Sequence, residues 1–157
     1  MNKKLVAVPI IVLAIVAASY FALEAQVTAA VNETIESLEL VDFKLEDTSL
    51  IPLSATIVLI GTVENPSNFQ MTVSMDADLY LGDAYITTLT MEDENIRANG
   101  KSTIEMRVKL GSSEMETFVE KQYEGGEPRW NGTVKAKTTA YFIPITVEKQ
   151  LEKTFLQ

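Results

Sequence analysis

The sequence predicts an apolar N-terminal helix followed by an all-β domain: a two-sheet antiparallel sandwich, fibronectin/immunoglobulin-like, with about seven strands and one short helix. Three observations carry this. Residues 5–23, LVAVPIIVLAIVAASYFAL, contain no charge. Beyond them the hydropathy pattern changes to period two, the mark of strands with one packed and one wet face. Turn-forming clusters then separate the alternating runs at regular intervals.

The apolar segment comes first. Nineteen residues at a helical rise of about 1.5 Å span roughly 28 Å, close to the hydrocarbon thickness of a bilayer. Lys3 and Lys4 precede the run and Glu24 is the first acidic residue after it. The positive-inside rule puts the N-terminus in the cytoplasm and the rest of the chain outside. Tyr20 and Phe21 fall at the expected outer interface, and Pro9 is tolerable near a helix start. Residues 1–23 are therefore expected to be a membrane anchor. A cleaved signal peptide competes, because Val27-Thr28-Ala29 satisfies a small-residue cleavage rule; the chain would then be secreted. A buried core helix is the third alternative, although cores seldom contain a run apolar on all sides. Residues 24–35, EAQVTAAVNETI, lack Gly and Pro and are expected to be a stiff helical stalk or short linker, with the sandwich occupying 36–157.

Within the sandwich, Met71, Val73, Met75, Ala77, Leu79 and Leu81 alternate with Thr72, Ser74, Asp76, Asp78 and Tyr80. The same alternation recurs over 103–110 and 134–142. Residues 54–63 are apolar on both parities, as in a strand covered on both faces. Strands are expected near 36–46, 54–64, 69–81, 84–91, 101–110, 131–142 and 145–155. The turn signals are Leu81-Gly82-Asp83, Ala98-Asn99-Gly100 and Ile143-Pro144-Ile145. One segment, SSEMETFVEKQYEGG, reads as an amphipathic helix. Ser113 and Glu116 have capping-box spacing, Met115, Phe118, Val119 and Tyr123 form the apolar face, and Gly125-Gly126 ends it. Asn65-Pro66 is expected to act as a rigid corner: Pro ends the ladder without a donor, and the Asn amide satisfies the bend.

Several chemistries lose their residues. The 157-residue chain has no Cys and no His, which removes thiolate and imidazole metal sites, Cys nucleophiles and His-based triads. A net charge of −9 argues against nucleic acid as a partner. Apart from Lys3 and Lys4, every charged residue lies from Glu24 onward, 11 basic against 22 acidic. The acidic groups Glu92-Asp93-Glu94 and Asp76, Asp78 and Asp83 read as solvated surface, since no Ca²⁺-loop spacing and no marked carboxylate pair is present. No catalytic, cofactor-binding or metal-ligating residue is assigned, and the expectation is a protein that is not an enzyme. Trp130, the single Trp, is either a core-sealing ring or an exposed binding aromatic. Asn32-Glu33-Thr34 and Asn131-Gly132-Thr133 are intact sequons, making Asn32 and Asn131 possible glycan acceptors on an exported chain.

The order of these features resembles the water-stress and hypersensitive-response (WHy) domain, the group 2 late-embryogenesis-abundant (LEA) family. The resemblance rests on Val63-Glu64-Asn65-Pro66-Ser67, where that family ends a strand in Val-x-Asn-Pro-Asn/Ser. It also rests on LYLGD at 79–83, Ala98-Asn99-Gly100-Lys101-Ser102 and Phe142-Ile143-Pro144-Ile145, and covers roughly residues 36–155. The resemblance implies a two-sheet sandwich and a role in desiccation or stress tolerance through binding or stabilising interactions. It supplies no catalytic residues. The expected function is thus a membrane-tethered, extracytoplasmic, non-enzymatic protective domain. The alternative is an adhesion or complex-assembly module that binds an envelope protein or glycan partner.

Overall fold

The computed structural model describes the backbone of residues 3–155 and the side chains of 9–155. The side chains of Lys3, Lys4 and Leu5–Val8, and residues 156–157, lie outside the described residues. Helix α1 runs unbroken from Lys3 to Glu36. It is followed by β1 (Glu39–Leu50), β2 (Leu53–Asn65), β3 (Met71–Leu81), β4 (Ala84–Ile96), β5 (Gly100–Leu110), α2 (Ser112–Tyr123), β6 (Pro128–Ala140) and β7 (Ile143–Thr154).

The strands form two antiparallel sheets, β1-β2-β5 facing β4-β3-β6-β7. The period-two pattern dictates this closure. The odd-numbered residues of β3 from Met71 to Leu81 are all buried, as are the even-numbered residues of β6 from Trp130 to Ala140. β2 is the central strand of its sheet and buries Ile57, Val58 and Leu59 in succession, matching its apolar character on both parities.

Three strands facing four leave one slot open beside β6 and β7. The last turns of α1 fill it. Val27, Val31 and Ile35 recur at a spacing of four, lie on one helical face and are fully buried in the common core. The helix packs against β2, β6 and β7. The segment expected to be a stiff helical stalk or short linker is helical throughout, and its last turns are packed into the domain.

Two other expectations are corrected. Ile143-Pro144-Ile145 is the start of β7, not a turn. The true turn is Tyr141-Phe142, enclosed by the pair Ala140–Ile143. An edge strand accepts Pro144 one residue past that closing pair, where the ladder needs no donor. In α2, Met115 and Phe118 are buried but Val119 and Tyr123 are exposed, because the helix meets the sandwich along a narrow i, i+3 line. The capping box does not form. Gly111 is the N-cap with no side-chain cap, and the neighbouring Ser112 Oγ instead donates to the Leu53 carbonyl at 2.9 Å.

Candidate functional site

Two regions combine exposed chemistry with a built framework: the junction of α1 with the sandwich, and the corner beside it. The junction is tied at both sheets. Ser37 Oγ donates to the Glu64 carbonyl at 3.0 Å and accepts from the Glu64 N–H at 2.8 Å, fixing the end of α1 to the end of β2. Across the slot, Lys149 on β7 pairs with the Glu36 carboxylate, and Lys153 donates to the Glu36 and Leu38 carbonyls. The last turn of α1 contains no basic residue of its own. β7 thus supplies the cations that a helix C-terminus favours, together with donors for its orphan carbonyls. The Lys149 hydrogen bond, reinforced by its charge, lowers the Glu36 carboxyl below the usual value for a glutamate. Burial lowers the Lys153 ammonium below the usual lysine value, with Glu39 and Glu36 opposing that shift.

The corner follows directly. Asn65 is the last residue of β2 and is wholly buried, whereas Pro66 is exposed. Asn65 Nδ2 donates to the Phe69 carbonyl at 2.7 Å, and its Oδ1 accepts from the Ser67 N–H at 3.0 Å and from Ser67 Oγ at 2.7 Å. This is an Asx-turn closed at both ends of the amide. The Asn99 N–H donates to the Ser67 carbonyl, locking the β4–β5 turn onto it. The chain leaves one sheet at Asn65 and enters the other at Met71, as a rigid corner requires. Its chemistry is structural.

Trp130 is wholly buried, so of the two readings open in the sequence it is the core-sealing ring; it presents no binding face. Its indole N–H has no partner among the described residues. Asn131 is on the outer face of β6 and accepts a hydrogen bond from Gln150 at 3.0 Å. Gly132, inside that sequon, has a packing reason: a Cβ there would lie 2.2 Å from the Ala77 Cα. Asn32 is half-buried on α1, one turn from Ile35. The two sequons are not brought together.

The acidic clusters are dispersed on β3, β4 and the turn between them. Asp93 pairs with Lys137 at 3.3 Å, Asp78 accepts from Thr88 at 2.9 Å, and Asp83 approaches Arg129 at 4.0 Å. Among the described residues, no three carboxylates converge as a metal site would need. The enclosed crevice between Phe43, Leu59, Leu79, Phe118 and Phe155 is apolar and holds about 10 Å³. That is room for one water at most.

Two exposed features had no sequence signal strong enough to single them out. The β1–β2 hairpin tip bears Leu50 and Ile51, the latter 93 % exposed. The β6–β7 turn carries Tyr141 and Phe142, both at positive φ, with Phe142 fully exposed. Period-two arguments assign faces of strands and are silent about loop tips.

No protein-family model and no curated protein sequence matches the chain. Solved structures with a similar fold include a protein from Archaeoglobus fulgidus, with a TM-score of 0.44 and 14 % identity over 77 % of this chain and 98 % of that one. A protein from Arabidopsis thaliana solved in solution has a TM-score of 0.49 and 11 % identity over 75 % and 80 % of the respective chains. A structure described as a candidate late-embryogenesis-abundant protein has a TM-score of 0.37 and 10 % identity, over 83 % and 84 %. These likenesses concern the fold and carry no inference about activity.

Proposed function

We propose that the chain is a membrane-tethered, extracytoplasmic, non-enzymatic domain of the WHy/LEA group 2 type that protects envelope components when water is withdrawn. The observation that carries the proposal is the build of α1. Its first half exposes apolar residues on every side, including Ile10, Ile11, Leu13, Ile15, Val16 and Phe21. Its second half is locked into the sandwich. A helix long and apolar enough to cross a bilayer thus continues without a break into the folded domain. Cleavage after Ala29 would cut between Val27 and Val31, both buried, so the embedded segment favours a retained anchor over a removed signal. The side of the membrane follows from Lys3 and Lys4 under the positive-inside rule.

The outer face of the four-stranded sheet supports protection rather than catalysis. It is a continuous polar ladder: Thr133 bonds Gln150, Lys135 pairs with Glu148, and Arg129 pairs with Glu152 while stacking 4.6 Å over Tyr80. Such a face holds water and resists self-association through the net negative charge. The motif order around Asn65-Pro66 supports the family reading. The test is to dry and rehydrate dye-loaded vesicles bearing the full-length chain, beside vesicles bearing only residues 1–37. Greater dye retention with the full chain is expected; equal leakage contradicts the proposal.

A second reading, a complex-assembly module, is favoured by Leu50 and Ile51 at the β1–β2 hairpin tip. Photo-crosslinking from position 51 in intact cells would then capture one stoichiometric envelope partner. The protective reading expects none.

A further inference from the structure

The path of α1 relative to β7 fixes which end of the sandwich meets the membrane. At the end of α1, Glu36 is held by both Lys149 and Lys153, and Leu38 by Lys153 alone. Glu39 then shares a groove with Glu152, Lys153 and Thr154. The end of α1 and β7 thus run in the same direction. Followed backward, α1 leads toward the start of β7. From Glu36 to Leu23 is about 20 Å of helix, equal to about six residues of strand. Six residues before Lys149 is Ile143, so a helix that keeps this direction leaves the domain level with the β6–β7 turn.

That turn is built at a cost. Tyr141 and Phe142 have φ of +50° and +67°. A two-residue hairpin of this type ordinarily uses Asn-Gly, because bulky residues resist positive φ. Tyr141 is held edge-on against Phe69, with ring centroids 5.6 Å apart. Phe142 is fully exposed. Strain retained to hold an aromatic ring in water points to a partner that is not water. The partner at that level is the bilayer surface, where aromatic residues concentrate.

Resting on the anchor reading above, we infer that the Tyr141-Phe142 turn inserts into the outer headgroup region beside α1. The domain is then fixed to the bilayer at two points, with its polar ladder at a defined tilt, rather than swinging on one helix. The surface recognised is lipid.

The absence of native Cys makes the test direct. Phe142→Cys, Tyr141→Cys, Ile51→Cys and Val16→Cys variants of the full-length chain are each labelled with an environment-sensitive dye and reconstituted in phosphatidylcholine vesicles. Lipid-borne bromine is expected to quench the dyes at 142, 141 and 16, and aqueous iodide the dye at 51. Iodide quenching at 142 and 141 as strong as at 51, with 16 still in lipid, overturns the inference while leaving the anchor intact. Shielding of 142 from both quenchers also overturns it, because the turn would then contact protein. A dye at 16 open to iodide overturns the anchor and the inference together. Phe142→Ser is expected to leave thermal unfolding of the domain unchanged and to move the Tyr141→Cys dye from bromine quenching toward iodide quenching; a Tyr141→Cys dye still quenched by lipid bromine to the same extent would overturn the role of Phe142.

Discussion

The two halves of α1 form one continuous helix but bury their apolar side chains in different ways. Before Leu23 the apolar residues point in all directions and every described one is exposed. After Glu24 they condense to a stripe, Val27, Val31 and Ile35, that is wholly covered. The first half has a composition suited to lipid, whereas the second has an arrangement suited to protein. Between them there is no Gly, Pro or loop to act as a hinge. Motion of the apolar half is therefore transmitted to the sandwich as a rigid body.

Substitution breaks this comparison most sharply. Ile35→Ala is expected to cost about 2–5 kcal/mol of domain stability, the range for truncating a buried Ile. Ile11→Ala is expected to leave the domain's unfolding unchanged in detergent. Denaturant unfolding followed by Trp130 fluorescence measures both, and equal effects would show that the two halves do not differ in kind.

The adjoining corner gives a smaller effect. Asn65→Ala strands the Phe69 carbonyl and the Ser67 N–H and is expected to cost about 1–3 kcal/mol. Pro66→Ala loosens only the unfolded chain and is expected to cost about 0.4–1 kcal/mol. The ordering, read from the same unfolding curves, distinguishes a hydrogen-bonded corner from one held by proline alone.

The smallest effect is electrostatic. Because the folded-state pKa of Glu36 is lowered, its contribution is present above its unfolded value, about pH 4.5, and is lost as pH falls through the folded value. Lys153 has the opposite sign. Its folded pKa is also lowered, so the cost of keeping it charged in the slot disappears as pH rises toward its unfolded value near 10.5. Protection of the amides of residues 27–36, measured against the intrinsic exchange rate at each pH, is expected to fall below pH 4.5 in the native chain, and less so in Glu36→Gln. Identical acid profiles would remove Glu36 from the junction.

Much of this architecture was legible because strand burial has a short, local period. Residues 71–81 and 134–140 could be assigned to faces from alternation alone, and the Asx-turn at Asn65 from its dipeptide. The embedded end of α1 was harder to read. Its four-residue stripe was present in the sequence, but the uncharged run before it suggested one anchor and one stalk. Only the three-against-four strand count reveals the slot that the stripe fills. The Tyr141-Phe142 turn was hidden for a different reason. Its residues have no turn propensity, and Pro144 three positions past Tyr141 drew the expected turn toward itself. Trp130 had two readings until the inward face of β6 decided between them.

Residues 24–36 continue the apolar helix and also belong to the fold of the sandwich. The most direct measurement compares thermal unfolding of the chain starting at Glu24 with the chain starting at Ser37. The first should unfold cooperatively at the temperature of the full-length chain. The second, lacking Val27, Val31 and Ile35, should melt at a much lower temperature or fail to fold. Equal melting of the two would show that α1 is only a tether and that its buried stripe adds nothing to the sandwich.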